Sequence, residues 1–428
     1  MISDARSQAR QLPHGLADLF YEQAAVKTEL ETRLQDTFRG WGYQRIIPPT
    51  FEYYATLSTE ASPQLEEEMY RFFDREGHIL ALRPDMTVPT ARVIGTRLYD
   101  QTLPLRFYYL GSVFRYDEEP QAGRRREFTQ AGIELVGAGT AEADAEVVAV
   151  AVGALDAMEV PRFQINLGQV AFLKAILAGL GGEALGDPRL ENGDLRRIEG
   201  AVNRKNDVEL RGVLDDLQIG GRTAEAVAAI PHLYGDAAVL DEARRLATNA
   251  EATAAVDQLA AVYELLDRAG VADRVTLDLG EVRSMAYYTG ITFHGYAAGL
   301  GFDICSGGRY DGLVSHFGAD LPAVGFALGL ERCMLVARAR CAIAPHVVVQ
   351  GCSDPEAHRL AALARGRGLR VEMDVVGRTG DALIAYGREC GARHIIAASG
   401  GGYTLIEPDG ARTMSRGELE KEIVTWTP

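Results

Sequence analysis

Residues 107–137 carry an unusually polar strand pattern and read Phe-Tyr-Tyr-Leu-Gly-Ser-Val-Phe-Arg-Tyr-Asp-Glu-Glu-Pro-Gln-Ala-Gly-Arg-Arg-Arg-Glu-Phe-Thr-Gln-Ala-Gly-Ile-Glu-Leu-Val-Gly. An aromatic run of high strand propensity comes first, and a loop containing Pro120 and Gly123 follows it. The second strand carries Gln130 and the lone carboxylate Glu134 where a core strand would be apolar. Such conflicts are typical of functional sites. The stretch predicts an antiparallel hairpin that presents arginines to an anion and polar side chains to a small ligand. A surface hairpin with a solvated loop is the alternative that these residues leave open.

Composition places the chain among soluble globular proteins. Its 428 residues allow two or three domains, and 47% are hydrophobic and 24% charged. No apolar run approaches the roughly 20 residues needed to cross a bilayer, and the first residues lack the apolar segment of a signal peptide. We therefore expect a cytoplasmic protein with no membrane partner.

Five scattered cysteines, none in a CxxC pair, predict reduced thiols without a metal site or a disulfide framework. P-loop, Rossmann, HExxH and GxSxG motifs are absent from the sequence, so no cofactor is expected.

Charge argues against a strong nucleic-acid footprint. The net charge is −16, whereas nucleic-acid affinity comes mainly from lysine and arginine on phosphates. In residues 346–428, ten basic residues face eleven acidic ones and form no basic stripe. The sequence therefore predicts no evident RNA-binding face.

The order of patterns along the chain predicts an α+β protein. Apolar residues at helical spacing predict a helix that ends near Trp41. From about residue 171 to 269 the sequence is helical, with no strand pattern, and predicts an insertion between parts of a sheet. Residues 336–345 look like a linker, and strand–helix alternation in 346–428 predicts a small α/β domain.

Shorter patterns predict further elements of the first part of the chain. A hairpin is expected over residues 69–82, and a helix from about residue 88 to 100 that Thr87 can cap. Asp85, just before that helix, is either a cap-region acid or a ligand for a cation such as an ammonium. Strands are expected over residues 287–296 and 302–306, followed by a glycine-rich turn into a helix over residues 307–313.

Several segments, in the right order, resemble the class II aminoacyl-tRNA synthetase core and, within it, histidyl-tRNA synthetase. The resemblance covers nearly the whole chain. It rests on five segments: Pro48 for motif 1, Phe114-Arg115 through Glu134 for motif 2, Gly325-Phe-Ala-Leu-Gly-Leu-Glu331-Arg332 for motif 3, Arg283-Ser-Met-Ala-Tyr287-Tyr288-Thr-Gly, and Gly307-Gly-Arg-Tyr310-Asp-Gly-Leu.

The resemblance implies a fold and a ligand. It implies a core over residues 1–335 with a six-stranded antiparallel sheet, self-dimerisation through motif 1, and an anticodon-binding-like domain over 346–428. It also implies a histidine pocket, with the ammonium near Asp85 and Gln130 and the imidazole near Glu134, Tyr288 and Tyr310. The whole predicted histidine-binding set is Asp85, Thr87, Gln130, Glu134, Tyr287, Tyr288 and Tyr310.

Departures from the synthetase pattern favour a paralogous family, the regulatory subunits of ATP phosphoribosyltransferase, the first enzyme of histidine biosynthesis. The synthetase's Arg-Pro-Glu-Gly-Thr is Arg-Pro-Asp-Met-Thr here, at residues 83–87. Its Arg-Gly-Leu-Asp-Tyr-Tyr has lost the glycine and the acid at residues 283–288. The motif 2 acid after Arg115 is Asp117, whereas the synthetase has Glu there. Glu118 and Glu119 stand where the synthetase has a basic residue. The resemblance then implies a histidine sensor without catalytic residues. Its partner would be the catalytic subunit in a hetero-oligomer, and tRNA would not be a partner.

A working synthetase remains the alternative, since residues that match its nucleotide-handling positions are retained. They are Arg115, Phe128, Arg283 and Arg332. A synthetase-like protein with another small ligand is a third interpretation.

Overall fold

A computed structural model describes residues 10–59, 62–116, 125–178, 192–283 and 287–428. The chain forms two compact units, residues 1–340 and 341–428.

The described part of the first unit contains twelve strands and twelve α-helices, numbered here in chain order. The strands are β1 (Gln44–Arg45), β2 (Phe51–Tyr53), β3 (Arg71–Phe73), β4 (Ile79–Leu82), β5 (Leu105–Phe114), β6 (Glu127–Val136), β7 (Phe163–Gln169), β8 (Tyr234–Gly235), β9 (Val275–Asp278), β10 (Ile291–Ala297), β11 (Asp303–Arg309) and β12 (Ala323–Gly329). The α-helices are α1 (Tyr21–Gly40), α2 (Tyr54–Leu57), α3 (Pro63–Glu67), α4 (Thr87–Val93), α5 (Ala141–Ala157), α6 (Val170–Ala178), α7 (Asn192–Asn203), α8 (Asp207–Asp216), α9 (Gly221–Ala229), α10 (Ala238–Leu246), α11 (Ala250–Arg268) and α12 (Leu330–Met334). A π-helical segment (Ile94–Leu98) and three 3₁₀ segments (Ile230–His232, Ala272–Arg274 and Val314–Phe317) complete the set.

The predicted hairpin is confirmed as the β5–β6 pair. Its two strands pair antiparallel over ten positions, from Leu105 opposite Val136 to Phe114 opposite Glu127. Alternation along β6 sends Ile133 to one face of the sheet and Glu134 to the other. The hairpin therefore separates an apolar face from a polar one.

A large sheet in the order β1-β5-β6-β12-β11-β10-β7-β9-β8 forms the centre of the first unit. The run from β5 to β7 is antiparallel throughout and comprises six strands. The class II synthetase-like fold expected from the resemblance is confirmed. β1 adds parallel to β5 at one edge, and β9 adds parallel to β7 near the other.

Helices cover the apolar face of this sheet. α1 buries Val26, Leu30, Leu34 and Phe38, the stripe predicted from the sequence. Phe38 contacts Phe326 of β12 with ring centroids 6.2 Å apart. α5 packs on β6, β11 and β12, and eleven of its seventeen residues are buried. The other face of the central strands is left for the site.

A buried ion pair fastens α5 to β11. The Arg309 guanidinium donates to Asp144 Oδ1 from Nε at 2.9 Å and from Nη2 at 2.7 Å. Burial raises the pKa of Asp144 although the charge and hydrogen bonds of Arg309 oppose that rise. Two buried charges in this position are stable only as a pair.

Three local predictions were wrong. Gly307 and Gly308 lie inside β11 rather than in a turn, because β10 and β12 both pair with these residues. The strand predicted to start at Tyr287 starts at Ile291. Among the described residues of the predicted insertion, the regular elements are helical except for β8, whose two residues pair with β9.

A separate three-stranded sheet, in the order β2-β4-β3, is formed by residues that lie between β1 and β5 in the sequence. β3 and β4 form the hairpin that the sequence predicts over residues 69–82. Pro48 and Pro49 prevent β1 from continuing along the edge of the large sheet, since proline has no N–H group to donate to a strand ladder.

The second unit is a five-stranded mixed sheet with helices. Its order is β14-β13-β15-β16-β17, with β13 parallel to both of its neighbours. The strands are β13 (Val347–Val349), β14 (Val371–Met373), β15 (His394–Ser399), β16 (Gly402–Glu407) and β17 (Gly410–Met414). The helices are α13 (Pro355–Gly366), α14 (Gly380–Glu389) and α15 (Arg416–Thr425). Crossover helices between parallel strands agree with the predicted small α/β domain.

Candidate functional site

Glycines line the centre of the polar face of the central sheet. We call this surface, formed by Gly132, Gly308 and Gly325, the floor of the site. Glu134 of β6 lies opposite Gly325 of β12, Gly325 opposite Gly308 of β11, and Gly308 opposite Thr292 of β10. Residues directly opposite each other in a ladder share a face, so one row of the sheet has polar ends and a glycine centre. A ligand can approach the backbone closely there.

The glycines are required because polar side chains lie across them. A Cβ atom on Gly325 would overlap the Oε2 atom of Glu134 and lie 2.8 Å from its Cδ atom. A Cβ atom on Gly132 would lie 2.7 Å from the Tyr109 hydroxyl. The floor is therefore shaped to hold the Glu134 carboxylate in one position.

Glu134 is the centre of the site and is only 2% exposed. Tyr109 Oη donates to Oε1 at 3.1 Å, and the Tyr310 hydroxyl donates to Oε2. Thr87 Oγ1 lies 3.4 Å from the Tyr109 hydroxyl. We call these four residues the Glu134 cluster.

Burial raises the pKa of Glu134 to about 7. Hydrogen bonds from Tyr310, Thr87 and Tyr109 oppose the rise, and the charge of Asp85 adds to it. A carboxyl group with this pKa changes protonation near neutral pH, as an imidazole does. The two groups can therefore exchange or share a proton.

Asp85 supplies a second carboxylate beside the cluster. Its Oδ1 accepts the Val88 N–H at 3.1 Å, in the first turn of α4. Burial raises the pKa of Asp85, while the charge of Arg115 and the amides of Val88 and Thr87 oppose that rise. The helix-capping role and the predicted ligand role are compatible, because the cap uses one carboxylate oxygen. Thr87, predicted as the cap, is instead the first residue of α4.

Gln130 joins α4 to the floor. Its Oε1 accepts the Met86 N–H at 2.7 Å. Its side chain is buried and lies on the same sheet face as Glu134, two residues along β6 from Gly132.

An aromatic wall, formed by Tyr287, Tyr288 and Tyr310, stands above the floor. Tyr287 stacks on Tyr310 with centroids 5.4 Å apart, and Tyr288 meets Tyr287 edge-on at 5.0 Å. A Cβ atom on Gly308 would lie 2.8 Å from the Tyr288 ring. Lys174 Nζ donates to the Tyr288 carbonyl at 2.6 Å and fixes this end of the wall to α6.

Arg115 and Phe128 lie at the Asp85 end. Arg115 Nε donates to the Pro84 carbonyl at 2.8 Å, and its guanidinium lies 5.6 Å from the Phe128 ring centroid. The motif 2 loop residues Asp117, Glu118 and Glu119 lie outside the described residues, as do Ser284, Met285 and Ala286.

A second group, the arginine cluster, occupies the β10 side of the same face. Its members come from the loop after β9 and from β10, β11 and α12, and are Glu281, Arg283, His294, Asp303 and Arg332. Arg283 donates to both oxygens of Glu281, from Nε at 2.7 Å and from Nη2 at 2.8 Å. Arg332 Nη1 donates to the Asp303 carbonyl at 2.9 Å and lies 3.5 Å from its carboxylate. β6 and β10 are three strand spacings apart, or about 14 Å.

The structure thus gathers all seven residues of the predicted histidine set around the Glu134 cluster. It divides the predicted nucleotide residues, with Arg115 and Phe128 near Asp85 and the other two arginines in the arginine cluster. Sequence reasoning missed Tyr109, Lys174, Glu281, His294 and Asp303. An isolated polar residue between apolar neighbours marked Glu134, and the same signal in Ile-Thr-Phe-His-Gly could have found His294.

One group in the described chain has metal-ligand geometry. Asp74, Glu76 and His78 place one ligand atom each within 4.8 Å of one another, on the β3–β4 turn. Asp74 accepts the backbone N–H groups of Glu76 and His78, both at 2.8 Å, so turn formation explains the arrangement. In the described part of the chain, no helix is long and apolar enough to span a membrane.

Comparison with known proteins identifies the family of the chain. The family model for histidyl-tRNA synthetase matches residues 15–333. A curated ATP phosphoribosyltransferase regulatory subunit from Moorella thermoacetica is 42% identical over 360 residues, covering 84% of this chain and 90% of that protein. One from a Thermoanaerobacter species is 40% identical over 324 residues, covering 76% and 82%.

Solved structures give the same result. An ATP phosphoribosyltransferase regulatory subunit/histidyl-tRNA synthetase from Bacillus halodurans is similar with a TM-score of 0.80 and 30% identity, covering 91% of this chain and 98% of that one. A histidyl-tRNA synthetase from a Nostoc species has a TM-score of 0.80 at 21% identity, covering 97% and 99%, and shares the fold.

Proposed function

The chain belongs to the histidyl-tRNA synthetase family, in its branch of ATP phosphoribosyltransferase regulatory subunits, and we propose that it binds histidine and controls a separate catalytic subunit. The catalytic subunit would perform the first step of histidine biosynthesis, and histidine bound here would inhibit it. By itself the chain would catalyse no reaction.

The observation that supports this proposal most strongly is the Glu134 carboxyl group. It is buried, faces a glycine floor and takes a hydrogen bond from each of two tyrosines. A carboxylate in this setting can accept one imidazole N–H and so select the ring's tautomer. Asp85 and Gln130 offer oxygens toward an ammonium group, and charge-assisted hydrogen bonds of this kind contribute about 1.5–3 kcal/mol each.

Calorimetric titration with histidine and with imidazolepropionate tests the site. Both ligands carry an imidazole and a carboxylate, whereas imidazolepropionate lacks the amino group. We expect imidazolepropionate to bind at least about tenfold more weakly than histidine, because it leaves Asp85 without its partner. Equal binding of the two would remove Asp85 from the proposed site.

Activity measurements test the regulatory role. Phosphoribosyl transfer is measured with the catalytic subunit alone, with this chain added, and with added histidine. We expect the chain to be required for full activity and histidine to reduce that activity. If histidine binds differently to the active and inactive states, its differential affinity is the coupling energy that reaches the partner. A catalytic subunit indifferent to the chain would contradict the proposal.

A second candidate, histidyl-tRNA synthetase, is favoured by one observation, the retention of Arg115, Arg283 and Arg332 at positions that match the synthetase motifs. Histidine-dependent exchange of pyrophosphate into ATP tests it. We expect no exchange above background. The charge balance of residues 346–428 supports the further proposal that tRNA is not a partner, and a tRNA gel-shift measurement tests that separately.

We also propose that two copies associate through the segment around Pro48 and the β2-β4-β3 sheet. Large apolar side chains there are exposed, a feature of interaction surfaces. They are Ile47 (75%), Phe51 (51%), Tyr53 (54%), Phe73 (73%) and Ile79 (45%). Sedimentation velocity should give a dimer, and replacing Phe73 with Ser should shift it toward monomer. A wild-type monomer at micromolar concentration would contradict this arrangement.

A further inference from the structure

Both arginines of the arginine cluster are already neutralised by carboxylates of the same chain. Arg283 and Glu281 form a bidentate pair, and the Tyr296 hydroxyl also accepts from Arg283. Arg332 donates to the backbone carbonyl of Asp303 and forms an ion pair with its carboxylate. Two parallel N–H···O bonds from one guanidinium are the arrangement by which arginine would otherwise hold a phosphate.

His294 lies between these two pairs. Its Nε2 is 3.7 Å from Glu281 Oε1, and its Nδ1 is 3.8 Å from Asp303 Oδ2. Neither ring nitrogen has a hydrogen-bond partner among the described residues. The imidazole thus lies within 4 Å of both carboxylates and makes a direct hydrogen bond to neither.

The carboxylates stay ionised in this environment. Burial alone would raise the pKa of Glu281, but the hydrogen bonds and charge of Arg283 and the charge of His294 bring it below its usual value. Burial would likewise raise the pKa of Asp303, but the neighbouring His294 and Arg332 bring it below its usual value. Two guanidinium groups therefore face two carboxylates, and the formal charge of these four groups is zero.

We propose that Glu281 and Asp303 are specificity residues that exclude polyphosphates from the β10 side of the site by holding Arg283 and Arg332. To hold both guanidinium groups, a triphosphate would have to displace the bidentate Glu281 carboxylate from Arg283 and the Asp303 carboxylate from Arg332, and it would then lie beside two acidic groups of its own sign. The site is thereby restricted to a ligand on the Glu134 side. This inference concerns anion binding and holds whether or not the chain regulates a partner.

Titration with inorganic tripolyphosphate and with ATP, both without magnesium, tests the inference on the full chain. Wild-type protein should show no saturable binding of either ligand at millimolar concentration. Glu281→Gln and Asp303→Asn each keep the shape of the side chain and remove its charge. We expect the double variant to bind tripolyphosphate at least about tenfold more tightly than wild type, since each freed guanidinium can form charge-assisted bonds. Each single variant should show a smaller gain.

A charge-matched control separates this local effect from the change in net charge. Glu264→Gln with Asp273→Asn removes two exposed carboxylates, which pair with Arg268 and Arg274 on the surface. It should leave tripolyphosphate binding as weak as in wild type. Histidine titration of the same samples reports on the Glu134 side independently, so a failure of the proposed histidine site would be seen separately.

Two results would overturn the inference. One is saturable binding of ATP or tripolyphosphate by wild-type protein at the affinity of the double variant. The other is a double variant that is folded by circular dichroism yet gains no affinity over the control. Should the double variant fail to fold, the wild-type titration and the single variants decide the question by the same two criteria.

Discussion

Replacing Glu134 with Gln should weaken histidine binding at high pH and change it little at low pH. Gln keeps the shape of the side chain and its acceptor oxygen but removes the charge. A charge-assisted hydrogen bond contributes about 1.5–3 kcal/mol and a neutral one about 0.5–1.5, so the loss is about 1–1.5 kcal/mol, or about 5- to 15-fold in affinity.

The pKa of Glu134 sets the pH at which this loss disappears. With a pKa of about 7, the carboxyl group is roughly 90% ionised at about pH 8 and roughly 3% ionised at about pH 5.5. Wild-type protein at the lower pH therefore carries a neutral carboxyl group, as the variant carries a neutral amide. The two affinities should then agree within about twofold.

Calorimetry at both pH values measures the ratio of the wild-type and variant dissociation constants. The ratio cancels the titration of histidine itself, whose imidazole also changes charge in this range. Glu264→Gln, which removes an exposed surface carboxylate, should give a ratio near one throughout. A loss for Glu134→Gln that is equally large at both pH values would refute the reasoning, because it would mean that the carboxyl group does not titrate between them.

The ligand-free protein should show the same titration as a change in stability. The pKa of Glu134 is raised from 4.5 to about 7 in the folded state, so the folded protein holds this proton at pH values where the unfolded chain has lost it. The contribution of Glu134 to the free energy of unfolding therefore decreases as the pH rises through this interval, by about 3 kcal/mol in total. Urea denaturation of wild type and Glu134→Gln across the interval measures the difference.

Three further substitutions probe the floor, the core and the wall. Gly325→Ala should reduce histidine affinity more than stability, since its Cβ atom would displace the Glu134 carboxylate and overpacking typically costs about 1–3 kcal/mol; calorimetry and urea denaturation compare the two. Asp144→Asn should lower the free energy of unfolding by about 3 kcal/mol, because it removes the buried carboxylate that pairs with Arg309 and leaves only the part-exposed Asp311 beside the guanidinium. Lys174→Met should cost a few-fold in histidine affinity, since it removes the hydrogen bond that anchors the aromatic wall.

Matched measurements keep these three outcomes distinct. For the core, Glu264→Gln breaks an exposed ion pair and should change the free energy of unfolding by no more than about 0.5 kcal/mol. An equal effect of Asp144→Asn would show that the buried pair is not needed. For the wall, unchanged histidine affinity in Lys174→Met would show that the Tyr288 backbone is held without this contact. For the floor, normal histidine binding by Gly325→Ala would show that Glu134 can move.

Much of the fold follows from local patterns. The stripe from Val26 to Phe38 is regular at helical spacing, and the hairpin around Glu134 alternates at strand spacing. These periods depend on residues within a few positions of each other, so the sequence alone predicts the elements they form. The ends of strands were less predictable where pairing with two neighbouring strands determined them. Gly307 and Gly308 have turn propensity, but pairing with strands on both sides keeps them extended.

The residues of the proposed histidine site were predictable through recognisable motifs, as were Arg283 and Arg332, but the carboxylates that pair with these arginines were not. Asp85, Gln130 and Glu134 stand in segments whose order and spacing carry the family resemblance. Glu281 and Asp303 stand in no motif and have no periodic signal, yet they determine whether Arg283 and Arg332 are free for an anion.

By itself the sequence determined the class of fold, the hairpin and the polar residues of the candidate site, because periodicity and motif spacing are local properties of the chain. Only the tertiary structure decided which of the retained arginines are already paired. That outcome depends on the strand order β6-β12-β11-β10 and on the loop after β9. Strand order is set by long-range pairing, and no local pattern records which side chains it will bring within hydrogen-bond distance.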